Sequence, residues 1–105
     1  IWGYVAIDAD LETVNGLVLD HKGETPGLGA RITEQGVQDR FAGKKIFNMD
    51  GELDPPHFQK GEGNDYESAH QVDGLSGATI TAKGVNNMLD NYLAMYKSFI
   101  KGEQT

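Results

Sequence analysis

The stretch Asp73-Gly74-Leu75-Ser76-Gly77-Ala78-Thr79-Ile80-Thr81 gathers three hydroxyls, two glycines and a carboxylate immediately before the longest apolar periodicity in the chain. The glycines mark a turn and the periodic run behind them predicts a helix, so the segment reads as a turn feeding a helix N-terminus. The first turn of a helix presents unpaired N–H groups and the positive end of the macrodipole, which together suit an anion such as a phosphate. Gly74, Gly77 and Ala78 permit close backbone approach. The hydroxyls of Ser76, Thr79 and Thr81 can cap the helix, contact a phosphate or be esterified by one. On residue types alone two readings stand side by side: a phosphate site, and an ordinary N-cap from Asp73, Ser76 or Thr79.

A second stretch, Lys22-Gly23-Glu24-Thr25-Pro26-Gly27-Leu28-Gly29, holds three glycines and one proline in eight residues and predicts a shaped loop. Glu24 reads either as an orienter of a ligand or as a carboxylate that fixes its own loop. Lys22, Lys44 and Lys45 are candidate cations for a phosphate. His21 ends a strand, while His57 and His70 lie in polar loops without metal-ligand spacing, and Asp8 and Asp10 lack a calcium-loop pattern, so no metal is expected. Cysteine is absent, which excludes disulfides, thiolate nucleophiles and iron–sulfur clusters. No His stands beside Thr79 in sequence to activate its hydroxyl, and no catalytic residue is assigned.

The elements that must position these groups follow from hydrophobic pattern. Gly3–Asp8 and Val14–His21 alternate in strand fashion around a polar turn and predict an antiparallel hairpin. Ile32, Val37 and Phe41 allow a helix from about Ala30 to Phe41, weakened at Gly36. Lys45–Met49 predicts a short strand ended by the Asp50-Gly51 turn. Residues 51–68 read as a surface excursion with one short strand near His57–Lys60, and Gln71 and Val72 as the end of another. Ile80, Val85, Met88, Leu89, Tyr92, Leu93, Tyr96, Phe99 and Ile100 recur at three- and four-residue steps, predicting an amphipathic helix from near Ala78 to before Gly102, with Tyr92, Tyr96 and Phe99 in the core. Strands followed by one long covering helix predict an α+β domain, a small and mostly antiparallel sheet packed against that helix.

The chain has 105 residues, enough for one domain spanning 1–105. Sixteen acidic residues against nine Lys and Arg give a net charge of −7, which opposes a nucleic-acid partner. The mean hydropathy of −0.47 suits a soluble module. With no initiator Met and no signal-like segment at Ile1-Trp2-Gly3-Tyr4, the expectation is a fragment of a longer polypeptide.

Asp73-Gly74-Leu75-Ser76-Gly77-Ala78-Thr79 resembles the flavinylation motif Asp-x-x-Ser/Thr-Gly-Ala-Thr of the FMN-binding domain family at every fixed position. Glu24-Thr25-Pro26-Gly27-Leu28-Gly29 resembles a loop of the same family, and two motifs in the right order are far more specific than one. Trp2-Gly3-Tyr4, Phe41-Ala42-Gly43-Lys44-Lys45 and the terminal helix extend the resemblance over almost the whole chain. Within the family, Val72–Val85 and Glu12-Thr13-Val14 look most like the C subunit of the sodium-translocating NADH:quinone reductase, Nqr. The G subunit of the Rnf complex is the runner-up, and a noncovalent phosphate-ligand module stands outside both.

The resemblance implies FMN attached by a phosphoester to Thr79, with Ser76 and Thr81 as neighbours and not acceptors, and with Asp73–Ala78 and Glu24–Gly29 lining the cofactor. It implies a one-electron relay within a translocase that oxidises NADH and reduces ubiquinone, other subunits of that complex as partners, and a flavin transferase for maturation. It also implies a bacterial inner-membrane complex, with this domain on the periplasmic side beneath an N-terminal membrane helix.

Overall fold

A computed structural model describes residues 1–24 and 29–104, with side chains through residue 98. Strands β1 (Trp2–Ile7) and β2 (Val14–Asp20) form the expected antiparallel hairpin, Trp2 facing Asp20 at one end and Ile7 facing Val14 at the other. The register shifts between Ala6 and Ile7, leaving Asn15 as the extra residue of a bulge. That insertion resets the two-residue phase, so Val14 as well as Leu17 and Leu19 faces inward. The connecting turn is closed by the Asp10 carboxylate, which accepts the hydroxyl of Thr13 and the N–H groups of Glu12 and Thr13, at 2.9 and 2.8 Å for the amides. These bonds, the Thr13 hydroxyl foremost, lower the Asp10 carboxyl to a pKa of about 2.

The single helix expected over residues 30–41 is instead three short pieces: a 3-10 turn at Gly29–Thr33, helix α1 (Gln35–Gln38) and a 3-10 turn at Asp39–Phe41. The break falls at Glu34, whose backbone is extended (φ −71, ψ 134), and not at Gly36, which lies inside α1. The cause is spacing. Val37 lies five positions after Ile32, so one continuous helix would turn Ile32 away from Val37 and Phe41, whereas the break lets all three be fully buried. Buried Gln38 fastens this segment to the hairpin, its Nε2 donating to the carbonyls of Leu19 (2.9 Å) and Ile32 (3.0 Å).

Lys45–Met49 makes isolated bridges, Thr13 with Lys45 and Phe47 with Leu53, in place of the expected strand. Asn48 accepts the N–H groups of Asp50 and Glu52 through its side chain, and the chain turns there before a ladder can grow. Strands β3 (His57–Phe58) and β4 (Gln71–Val72) pair in parallel, a second small ladder beside the antiparallel hairpin.

Helix α2 runs Thr79–Gln104, through Gly102 and not stopping before it. A lone helical glycine costs about 1 kcal/mol, too little to end a helix of this length. The buried stripe is Ala78, Ala82, Val85, Leu89 and Leu93, packed on Phe58 and the hairpin core. Ile80 and Tyr92, expected on this stripe, are 88% and 63% exposed: Ile80, two past Ala78, points away from the stripe, and Tyr92 lies at its open edge. Met88 and Tyr96 pack against the core from its margin, and the side chains of Phe99 and Ile100 lie outside the described set. Asn86 clasps the backbone of Phe58, accepting its N–H at 2.8 Å and donating to its carbonyl at 3.1 Å, while the Phe58 ring meets Phe41 edge-on with centroids 5.0 Å apart. The α+β architecture is thus as the pattern predicts. Among the described residues no helix is long and apolar enough to cross a membrane.

Candidate functional site

The turn before α2 is held from beneath and open above. Ser76, Gly77, Thr79 and Ile80 are exposed, whereas Gly74, Leu75, Ala78 and Thr81 are buried. Gly77 takes φ +74, a left-handed value that suits glycine and reverses the chain into the helix. Gly74 is pressed so closely against the carbonyls of Gln59 and Gly61 that a Cβ would collide with both. Thr79 is the exposed first residue of α2, and the two residues before it, Gly77 and Ala78, are small. Among the described residues, the N–H groups of Thr79, Ile80 and Thr81 meet no backbone acceptor, as expected of a helix start.

Glu24 and Gly29 join this helix start from the other motif. The Glu24 carboxylate accepts the hydroxyl of Thr81 at 3.2 Å, which makes it a clasp between segments and not merely an anchor for its own loop. Gly29 is buried with its Cα against the same Thr81 side chain, and a Cβ there would strike the hydroxyl. Glu24, Gly29, Gly77, Ala78, Thr79, Ile80 and Thr81 line one open cavity of about 340 Å³. A larger groove of about 580 Å³ lies between β1 and the far part of α2, but it is lined by three tyrosines and aliphatic side chains and has no helix start in it. Thr25, Pro26, Gly27 and Leu28 lie outside the described residues.

Three residues that sequence reasoning missed support the turn. Glu62 receives a bidentate pair of bonds from Arg31 (2.6 and 2.5 Å), one from Arg40 (2.8 Å) and one from the N–H of Ser76 (3.2 Å). Arg40 reaches on to the carbonyls of Gly74 (2.8 Å) and Asp73 (3.3 Å). Asp73 in turn accepts the N–H groups of Gly63 and Asn64 through its carboxylate, so its role is to tie the turn to the 62–64 segment. The hydrogen bonds from Arg31 and then Arg40 hold the Glu62 carboxyl far below the usual carboxylate range, and the Glu62 partner raises the Arg31 guanidinium. The partners are remote in sequence and sit in stretches of no marked pattern. Only Arg31, next to the glycine-rich loop, carried a positional hint.

Two of the three candidate lysines are engaged elsewhere. Lys44 donates to the carbonyls of Tyr66 and Ser68, and Lys45 pairs with Glu12 at 2.8 Å. Lys22 is exposed. His21 follows β2 and accepts the N–H of Glu24 at its Nδ1, while His57 and His70 face Asp90 and Asp54. Among the described residues no cluster of three or more His, Cys, Asp or Glu is placed to hold a metal.

A family model described as the FMN-binding domain matches residues 1–94. The chain belongs to the FMN-binding domain family. It is similar to the C subunit of the Na(+)-translocating NADH-quinone reductase of Haemophilus ducreyi, 45% identical over 87 residues, covering 83% of this chain and 33% of that protein. The protein of the same name from Neisseria meningitidis is 48% identical over 85 residues, covering 81% and 32%. Among solved structures, the corresponding C subunit from Parabacteroides distasonis superposes with a TM-score of 0.84 at 46% identity, covering 93% of this chain and 48% of that one. NqrC of Shewanella oneidensis gives 0.69 at 36% identity, covering 80% and 38%. The chain thus spans about a third of the length of these curated relatives.

The geometry of this FMN-binding domain suits the phosphate end of such a cofactor. Amide donors at the start of α2, an exposed threonine oxygen among them and a left-handed glycine beside it make a cradle of backbone groups.

Proposed function

We propose that this domain carries FMN through a phosphoester to the Thr79 hydroxyl and relays electrons one at a time within a Na+-translocating NADH:quinone reductase. The observation that carries the reading is the position of Thr79. The residue that completes the flavinylation motif is the exposed first residue of α2, and it shares a cavity with Glu24 and Gly29 of the second motif. Similarity to NqrC relatives supports this reading over the Rnf-type one.

Bound FMN would supply the redox chemistry, and the chain would supply attachment, orientation and electrostatics. Thr79 Oγ1 would be the ester oxygen. The N–H groups of Thr79, Ile80 and Thr81 would hold the phosphate with the helix field behind them, and the left-handed turn at Gly77 would leave room for its oxygens. Glu24, clasped to Thr81, fixes the start of the 24–29 loop whose residues Thr25, Pro26 and Leu28 are assigned to the ring. Among the described residues no His lines the cavity to activate the Thr79 hydroxyl, so a separate flavin transferase would do so. The domain works outside the cytoplasm under a membrane helix of the longer protein, passing electrons between neighbouring subunits, which themselves handle NADH, quinone and sodium.

The test is coexpression with a flavin transferase followed by denaturing electrophoresis under ultraviolet light. The wild-type band fluoresces and the Thr79→Ala band is dark, with the added mass mapped to the peptide that contains Thr79. A dark wild-type band, or label surviving in Thr79→Ala, overturns the reading.

A further inference from the structure

We infer that Glu62 is a positioning residue that sets the two flavin-contacting segments against each other, so that Thr79 is presented in the geometry that a flavin transferase and the bound cofactor require; this rests on the covalent FMN reading above.

One carboxylate touches both segments. Through its bidentate pair with Arg31 it holds the 3-10 turn Gly29–Thr33, which begins at the last residue of the Glu24–Gly29 motif. Through the Ser76 N–H it holds the middle of the Asp73–Thr79 motif, and through Arg40 it fixes the Gly74 carbonyl two residues earlier. Both Glu62 oxygens are used, and the Glu62 and Arg31 side chains are about four-fifths buried. Formal charges cancel within the set Arg31, Arg40, Glu62 and Asp73.

Position matters because esterification and electron transfer both depend on placement. A hydroxyl displaced by an ångström from an incoming phosphorus reacts far more slowly. The Glu24 clasp and the contact of Gly29 with Thr81 join the same two segments from above, but both act on the helix side of Thr79. Glu62 acts on the turn side. Removing its charge leaves Arg31 to Glu34 at 3.7 Å and Arg40 to Asp73 at 3.8 Å and the turn carbonyls, and loosens the hold on the Ser76 N–H.

The experiment compares Glu62→Gln with Leu93→Ala, a core substitution remote from the turn that lowers thermal stability, and with wild type. Each is incubated folded, well below its melting temperature, with a flavin transferase and its flavin donor. Hydrogen exchange at the Ser76 amide is followed in the unlabelled domains, and visible circular dichroism and the midpoint potential of the flavin in the labelled ones. For Glu62→Gln the expected result is labelling slowed about tenfold or more, faster Ser76 exchange and an altered flavin dichroism and potential, none of which Leu93→Ala reproduces. Arg40→Lys, which keeps the charge but loses the fork, falls between Glu62→Gln and wild type, and stands in for Glu62→Gln if that variant does not fold. Labelling within about twofold of wild type with unchanged dichroism in the folded variant overturns the inference. So does a slowing matched by Leu93→Ala. Failure of the wild type to take label at Thr79 instead overturns the covalent reading, while Ser76 exchange still decides the clamp.

Discussion

Glu24 accepts a hydrogen bond from the hydroxyl of Thr81 at 3.2 Å across a separation of 57 residues, and this contact joins the two motifs at the start of α2. Thr81 is buried while Thr79, two positions away, is exposed. Thr81→Val should therefore cost about 1 kcal/mol in stability, by loss of one hydrogen bond to Glu24, yet leave the label on Thr79. Thermal melts and peptide mapping by mass spectrometry check both halves.

Two glycines should respond in opposite directions to alanine. Gly74→Ala places a Cβ on two carbonyls of the 59–61 segment and should destabilise by about 1–3 kcal/mol while weakening flavin attachment. Gly36→Ala meets open space within α1 and should stabilise by about 0.5–1 kcal/mol without touching attachment. Urea titrations of the two variants give the signs directly.

Acid should unfold the domain through its paired carboxylates. The folded pKa of Glu62 lies below the ordinary 4.5 and that of Asp10 falls from 3.8 to about 2. For such groups the unfolded chain takes up the proton first, so their stabilisation is complete above the ordinary carboxylate values and is lost as pH falls through the folded ones. Stability should decline between about pH 5 and pH 2, and Glu62→Gln should flatten that decline in melts run across the range.

Gln38→Leu should cost about 1–3 kcal/mol, because it strips the donor from the buried carbonyls of Leu19 and Ile32 while keeping the side chain's bulk. Amide exchange should quicken over the hairpin and the Gly29–Phe41 segment together, since Gln38 is a direct bond between them.

What could be read from sequence divides along the length scale of the interactions. The hairpin, the long helix and the turn ahead of it follow from nearest-neighbour patterns, and the positions of Thr79, Gly77 and Glu24 follow with them. The break at Glu34 depends on three apolar side chains reaching one core, which no local propensity encodes. The truncated strand at Lys45–Met49 reflects the side chain of Asn48 outcompeting a ladder. Ile80 and Tyr92 lie outside the buried stripe because the helix is covered along a narrow face, and the width of that face is set by what packs on it. Glu62, Arg31 and Arg40 are ordinary charged residues in the linear chain. They become a site only when folding brings residues 31, 40, 62 and 76 to one point.

The guanidinium groups that reach the attachment turn are already consumed, Arg31 by Glu62 and Arg40 by Glu62 and two carbonyls. A cofactor arriving there meets backbone dipoles and not a free arginine fork, so it would be gripped with neither the strength nor the salt sensitivity of ionic capture. The permanent tether proposed at Thr79 would answer that deficit. A flavin on a bond would have no dissociation constant to satisfy and would not exchange with the dissolved pool. Under the proposed covalent reading, the internal neutrality of the turn would thus go with a carrier loaded once and kept for the life of the polypeptide.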